Sequence, residues 1–257
     1  MKMLSYEKKE NVATLTIQSP PANALSSKLL KELAEKLDSM ERDPELKAVI
    51  IKGEGRFFSA GADIKEFTSL QEASDYESLS ADGQQIFARM ERFSIPIIAV
   101  IHGAALGGGL ELAMACHIRL ASSDAKLGLP ELNLGIIPGF AGSQRLPRYV
   151  GNAKAYEMIL TGAPISGKEA ASFGLVNKAL TEEELFPAAE KLAGNIAQKS
   201  KPAIKRIMQL IPYANTNAIA EGSKAEAKAF GEIFGSEDAK EGIEAFLHKR
   251  KPVFKDK

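Results

Sequence analysis

IPIIAVIHGAALGGGLELAMAC, residues 95–116, is the stretch that decides the predicted fold. Its first part, 95–101, is almost entirely apolar and β-branched, which is typical of a strand covered on both faces. Three consecutive glycines at 107–109 then let the backbone adopt unusual dihedrals and let a ligand approach it closely. We expect a buried helix to begin there, with free N–H groups that favour an anionic or polarised oxygen. Glu111 would lie in the first turn of that helix.

This stretch fits two other interpretations. A transmembrane span fits the 22-residue length and a Gly103-x-x-x-Gly107 spacing. The glycine triplet weakens a helix, however, and a carboxylate deep in a lone span is costly, so the sequence argues against a membrane protein. The other interpretation is a helix packed through its glycines, with Glu111 hydrogen-bonded for structural reasons only, and it stays open at this point.

The composition is that of a globular protein without a strongly charged surface. The 257 residues are 45% apolar and 26% charged, which predicts one large domain, or one domain with a helical appendage. The 33 basic and 33 acidic residues balance, so no overall field favours nucleic acid or an anionic membrane. No apolar run resembles a signal peptide at the N-terminus, and we expect a cytoplasmic protein. Cys116 is the single cysteine, which excludes an intrachain disulfide and a Cys-rich metal site.

Hydrophobic periodicity predicts strands alternating with helices in the first half of the chain. This alternation indicates an α/β fold with parallel βαβ units and right-handed crossovers. A glycine- and proline-rich loop is predicted at 135–148, and beyond Gly151 strand signals disappear and helices dominate. The predicted strands are 4–8, 12–18, 47–52, 95–101, 118–121 and 125–129, and the predicted helices are 26–42, 71–93, 153–160, 167–173, 181–198, 202–211, 217–234 and 236–248.

Several classes of enzyme lack their motifs in this sequence. The three histidines, at 102, 117 and 248, do not have metal-ligand spacing, so no metal site is expected. Neither Ser59 in FFSAG nor Ser143 in AGSQR matches the G-x-S-x-G motif of a serine hydrolase. The glycine triplet fits neither nucleotide-binding fingerprint.

Two carboxyl groups remain as candidates for chemistry. Glu111 and Glu131 each lie in a mainly apolar, turn-rich neighbourhood, which raises a carboxyl pKa and allows proton exchange near neutrality. Glycine-containing segments at 60–62 and 107–109 supply candidate backbone donors. A thioester enolate suits these parts, because the donors stabilise its oxygen while a carboxylate moves protons at the neighbouring carbons.

Five blocks of the sequence together carry a family resemblance: SAGADIKEF (59–67), HGAALGGGLELAMACHIRLAS (102–122), LGLPELNLGIIPGFAGSQRLPRYVG (127–151), LTGAPISGKEAASFGLVNKAL (160–180) and FLHKRKPVF (246–254). They resemble the crotonase superfamily, most closely enoyl-CoA hydratase. The resemblance implies a spiral core of ββα units over 1–195, an acyl-CoA substrate, and a helical region at 196–257 that covers the active site. It also implies a homotrimer or a hexamer formed by two trimers.

The resemblance assigns roles to individual residues. It places the oxyanion-hole amides on Ala62 and Gly108. In a hydratase, Glu111 would activate the water that adds at Cβ, and Glu131 would exchange the proton at Cα. Coenzyme A would be part of the substrate, with no separate cofactor. The residues that would line its path are Ala60, Asp63, Ile64 and Lys65.

Some features leave alternatives open. Leu110 and His102 depart from the residues common in the family, which leaves the acyl chain length open. Isomerases, dehydratases and decarboxylases of the superfamily share the amide pair, and a Δ3,Δ2-isomerase can run on the equivalent of Glu131 alone. Both carboxyl groups being present favours the hydratase. A non-enzymatic RNA-binding role has only the basic cluster at 249–251 in its favour, and the zero net charge opposes it.

Overall fold

The structure is a computed structural model that describes residues 2–63, 66, 73–215, 219–234 and 236–257. In the described residues the strands are β1 (Leu4–Lys9), β2 (Val12–Ile17), β3 (Ala48–Gly53), β4 (Ile97–Ile101), β5 (Ala104–Leu106), β6 (Ile118–Ser122), β7 (Lys126–Gly128), β8 (Ile165–Ser166) and β9 (Lys178–Leu180). The α-helices are α1 (Ser27–Glu41), α2 (Ala73–Glu91), α3 (Gly108–Met114), α4 (Gly142–Thr161), α5 (Gly167–Ser172), α6 (Glu182–Ala197), α7 (Lys201–Leu210), α8 (Ile219–Phe234) and α9 (Glu237–Leu247), with 3-10 helices at Glu131–Leu134 and Ile211–Asn215.

Two sheets organise these elements. The larger has the strand order β1-β2-β3-β4-β6-β9, in which only the β1–β2 hairpin is antiparallel. The smaller has the order β5-β7-β8, with β5 and β7 parallel. The predicted α/β class with parallel strands is therefore confirmed.

The core lies on both faces of the larger sheet. On one face, α6 packs its buried Leu185, Ala189 and Ala193 against the apolar side chains of the central strands. The other face is covered by a larger apolar cluster to which α1, α2 and α3 contribute. All five residues of β4 are buried, which explains the uninterrupted apolar run that predicted this strand.

Local sequence signals explain the elements that were predicted well. Ser26 caps α1 by accepting a hydrogen bond from the amide of Leu29, and the buried leucines of this helix recur at helical spacing. Thr181 caps α6 in the same way, and the side chain of Glu184 completes a capping box. Both helices begin within one residue of the predicted position.

Two predictions are wrong. The expected loop at 135–148 is already helical from Gly142 and the helix continues through Pro147, because burial of Arg145 and Leu146 outweighs the weak helix propensity of this segment. The sequence gives no strand signal beyond Gly151, yet the chain forms the short strands β8 and β9 there. The buried helix expected at the glycine triplet does begin there, at Gly108, directly after the short strand β5. The sequence also predicts a short helical turn after Asp63, and this turn lies largely outside the described residues.

The C-terminal segment folds back onto the body of the protein. The buried carboxylate of Asp238 accepts hydrogen bonds from the amides of Lys255 and Asp256. Asp256 in turn pairs with the ammonium of Lys47 at 2.8 Å and accepts from the amide of Lys201 at the start of α7. No helix in the described ranges has the length and apolarity needed to span a membrane.

Candidate active site

The candidate site is built where the segment 58–62 runs beside β5 and the start of α3. The amide of Ser59 donates to the carbonyl of Ala104, and the carbonyl of Ser59 accepts from the amide of Leu106. A Cβ on Gly109 would lie 2.3 Å from the carbonyl oxygen of Ser59, so only glycine allows this approach. The glycine triplet therefore allows two backbone segments to touch.

This approach brings the amides of Ala62 and Gly108 together. A Cβ on Gly108 would lie 3.2 Å from the amide nitrogen of Ala62. Ala62 forms a bridge with Leu25 that uses the carbonyl of Gly61 and the amide of Asp63, which leaves the N–H of Ala62 outside the bridge. Gly108 is the first residue of α3, where an amide has no acceptor within the helix. The pair can thus serve a substrate oxygen.

Glu111 lies in the first turn of α3 and is held by two backbone amides. Its side chain is buried, and its Oε1 accepts from the amide of Phe140 at 2.8 Å and from that of Gly142 at 2.7 Å. Both donors belong to the turn that leads into α4. Two charge-assisted bonds fix the carboxyl group in one orientation.

Glu131 begins the 3-10 helix after β7 and faces the glycine triplet. Its Oε1 would lie 3.0 Å from a Cβ on Gly107, and Gly107 is itself bonded to β7 through the carbonyl of Gly128. Its Oε2 is buried and has no hydrogen-bond partner among the described residues. A buried, unbonded carboxyl oxygen is costly, which is a feature of sites that receive a ligand.

Burial makes both carboxyl groups weaker acids than usual. Removal from water raises the pKa of Glu111 to about 7, and the charge of Glu131 acts in the same direction. The amides of Gly142 and Phe140 and the charge of Arg145 oppose this rise. Burial also raises the pKa of Glu131. Glu111 can therefore gain or lose a proton near neutral pH, as an acid/base catalyst must.

The residues predicted to line the coenzyme A path are only partly described. Ala60 is exposed, and its amide donates to the carbonyl of Ala22. Asp63 is half-buried next to the amide pair, and its own amide donates to the carbonyl of Leu25. Ile64 and Lys65 lie outside the described residues.

The structure shows further residues of the candidate site that the sequence did not indicate. Phe140 and Gly142 act through backbone amides, so the side chain at 140 gives no signal, while a Cβ at 142 would lie 2.8 Å from Oε1 of Glu111. The ring of Phe140 would also meet a Cβ on Gly108 at 3.2 Å, so it forms an apolar wall beside the amide pair. Arg145 is buried behind this turn, and its local sequence, AGSQRLPR, is too polar to indicate burial. Across the described residues no cluster of three or more His, Cys, Asp or Glu side chains could hold a metal ion.

The chain is similar in sequence and in structure to known proteins of one family. The sequence model of the enoyl-CoA hydratase/isomerase family matches residues 7–257. A probable enoyl-CoA hydratase of Bacillus subtilis is 61% identical over 257 residues, 99% of each chain. A crotonyl-CoA hydratase of Syntrophomonas wolfei is 42% identical over 96% of each chain. The crystal structure of an enoyl-CoA hydratase from Bacillus anthracis superposes with a TM-score of 0.95 at 34% identity, over 100% of both chains.

The chain therefore belongs to the enoyl-CoA hydratase/isomerase family, which is the crotonase superfamily. The resemblance drawn from the sequence is confirmed, and so is the crotonase-like fold.

The raised pKa of Glu111 predicts a pH-dependent gain in stability for Glu111→Gln. The folded protein binds this proton more tightly than the unfolded chain, so the group destabilises the fold as pH rises from about 4.5 to about 7. The neutral amide still accepts both backbone bonds but removes the charge. We expect Glu111→Gln to be more stable than wild type at pH 8, by up to roughly 3 kcal/mol, and to differ little at pH 5.

Urea denaturation of both proteins at the two pH values measures this difference. Glu157→Gln is the matched control, because Glu157 is exposed on α4 and pairs only with Lys154 among the described residues. A gain for Glu111→Gln of equal size at pH 5 and pH 8 would contradict the prediction.

Proposed function

We propose that this protein is an enoyl-CoA hydratase, a hydro-lyase that adds water across the 2,3 double bond of a 2-enoyl-CoA to give a 3-hydroxyacyl-CoA. One observation carries the proposal: two buried carboxyl groups with raised pKa adjoin the neighbouring backbone amides of Ala62 and Gly108, the second of which begins α3. The full-length relatives that are named as hydratases support the same reaction.

In this proposal the amides of Ala62 and Gly108 bind the thioester oxygen. Addition at Cβ moves electrons onto that oxygen and gives an enolate, so donors that are already in place favour the transition state over the substrate. The partial positive charge at the start of α3 acts in the same direction.

The two carboxyl groups then divide the proton transfers. Ionised Glu111 takes one proton from a water molecule as the water oxygen forms its bond to Cβ. Protonated Glu131 gives a proton to Cα as the enolate collapses. Both elements of water are then on the product, and the proton gained by Glu111 must return to Glu131 before the next turnover.

The runner-up is an isomerase that moves the double bond with Glu131 alone, since the family includes isomerases. The hydratase is favoured because Glu111 is also held by two amides and has a pKa of about 7, which suits a base that activates water.

Further parts of the proposal rest on the family resemblance. Coenzyme A would run past Ala60, Asp63, Ile64 and Lys65, and no metal or redox cofactor would be needed, because the thioester itself accepts the electrons. Residues 1–195 would form the catalytic core, and 196–257 would cover the site and join subunits. The cytoplasmic location stays a prediction from the sequence.

The sharpest prediction concerns Glu111→Gln and Glu131→Gln. Each change keeps the shape but removes one proton transfer, which is worth on the order of 10²–10⁴ in rate. We expect both variants to lose hydration of crotonyl-CoA by this factor, and the double variant to lose less than the product, because the groups serve one transition state. Steady-state turnover to 3-hydroxybutyryl-CoA measures the loss, with circular dichroism as the test of folding.

Each alternative gives a different pattern of loss. An isomerase would tolerate Glu111→Gln, and a binding protein would show no turnover in any variant. Glu157→Gln should behave as wild type. Near-normal hydration by folded Glu111→Gln would refute the assignment of this residue.

A second prediction tests the amide pair through Gly108→Val. A Cβ at this position already lies 3.2 Å from both the Ala62 nitrogen and the Phe140 ring, so the added methyl groups would occupy the space of the thioester oxygen. The N–H remains but the substrate oxygen can no longer reach it, so we expect kcat to fall by roughly 10²–10³, as when one such donor is removed. The control is Gly194→Ala on α6, where a Cβ would have no neighbour within 4 Å. Unchanged kcat in folded Gly108→Val would count against this oxyanion hole.

A third prediction concerns assembly into trimers or hexamers. The C-terminal helices carry large apolar side chains at the surface, and Phe246 is 82% exposed. Exposed apolar side chains in this number favour an interface with another subunit. Light scattering should give three or six times the 27.6 kDa chain mass, and Phe246→Glu should lower it. A wild-type mass near that of one chain would reject assembly. The exposed large apolar residues in the described part of 196–257 are Ile207, Ile211, Tyr213, Phe230, Ile243, Phe246, Leu247 and Val253.

A further inference from the structure

Arg145 is a buried cation that the proposed reaction does not use directly. It lies in the first turn of α4, with its side chain 5% exposed. One arm of the guanidinium donates to the carbonyl oxygen of Phe140. The other donates to the carboxylate of Glu91 at the end of α2, at 2.8 Å. The guanidinium carbon also lies 6.0 Å from the centre of the Phe87 ring.

This position is unfavourable for a cation unless something compensates. The first turn of a helix carries partial positive charge, and burial removes the hydration of the guanidinium. Glu91 supplies the opposite charge, and the Phe140 carbonyl supplies a dipole. A planar fork is required to reach both acceptors at once, which lysine does not offer.

The Phe140 peptide groups connect this cation to Glu111. The N–H of Phe140 donates to Glu111 while its C=O accepts from Arg145, so one residue is held from both sides. Gly142, two residues further on, supplies the second amide to Glu111. A shift of this turn would lengthen both bonds to the carboxyl group.

Few charged groups face this part of the site in the described residues. Glu131, from the 3-10 helix, and Arg145, from α4, act on Glu111 with opposite signs. Glu91, from α2, faces Arg145. Arg148 also approaches Glu91, at 3.6 Å, but is 54% exposed.

We propose that Arg145 is a positioning residue for Glu111: by bridging the Phe140 carbonyl and Glu91, it fixes the turn whose two amides orient the catalytic carboxyl group. This inference rests on the proposed role of Glu111 as the base. Arg145 does not touch the substrate, and it acts through the backbone of Phe140.

The test compares Arg145→Gln, Arg145→Lys and Glu91→Gln with Arg148→Gln as the control. We expect Arg145→Gln to lower kcat for crotonyl-CoA by about tenfold to a hundredfold with KM nearly unchanged, since misplacement of a catalytic group acts on the chemical step. The acidic limb of the plot of kcat against pH should move to higher pH. The Arg145 cation is gone and the amides of Phe140 and Gly142 are less ordered, so the ionised form of Glu111 is less favoured.

Arg145→Lys should shift this limb less than Arg145→Gln does, because the charge remains, and should still lose kcat, because lysine lacks the planar fork that orders the turn. Arg148→Gln should match wild type in both readouts. If Arg145→Gln does not fold, Glu91→Gln takes its place, in which Arg145 loses its anionic partner, and a lower kcat with unchanged KM is expected.

A readout independent of activity separates this inference from the proposed function. ¹³C NMR of glutamate-labelled protein follows the titration of the Glu111 carboxyl, with Glu111→Gln to assign its signal. The Glu111 midpoint should rise in Arg145→Gln and stay unchanged in Arg148→Gln. A wild type without hydration would refute the proposed function, while the titration still decides the role of Arg145. Wild-type kcat and midpoint in a folded Arg145→Gln or Glu91→Gln variant, even a destabilised one, would overturn the inference and leave a purely structural ion pair.

Discussion

The contact between Ser59 and Gly109 is the constraint on which the site depends. A Cβ at 109 would fall 2.3 Å from a backbone oxygen, far inside contact distance, so any other residue would push the two segments apart. The same approach sets Ala62 beside Gly108 and starts α3 at the place where Glu111 enters its first turn. The amides of Ala62 and Gly108 and the carboxyl group of Glu111 are thus positioned by one contact between backbones.

Burying two carboxyl groups near each other is unfavourable for folding, and the structure offsets this only in part. Glu111 receives two amides and the field of a distant cation, whereas Glu131 keeps one oxygen without a partner in the described part of the chain. The buried carboxyl groups therefore lower the free energy of unfolding at the place where protons are proposed to move, and such a loss is common at catalytic sites.

Much of this arrangement is visible in the sequence, for local reasons. The hairpin, α1 and β4 carry strong periodicity, cap residues or continuous burial, and they lie within two residues of their predicted bounds. β5, β8 and β9 have three residues or fewer, too short for any periodic signal. Glu111 and Glu131 stood out by their apolar neighbourhoods, but their proximity depends on how β5 and β7 pair, which only the fold shows. The amides of Phe140 and Gly142 and the bridge through Arg145 are tertiary features made mainly by backbone atoms.

Phe140 shows how such a site can diversify. Its hydrogen bonds to Glu111 and from Arg145 both use main-chain atoms, so they persist whichever side chain stands there. Its ring, in contrast, lies where a Cβ on Gly83 would come within 2.3 Å, and it packs edge-on against Phe87 at 5.4 Å. Evolution, or a mutant library that varies positions 83 and 140 together, can therefore reshape the apolar surface beside Gly108 while the hydrogen bonds that orient Glu111 are retained.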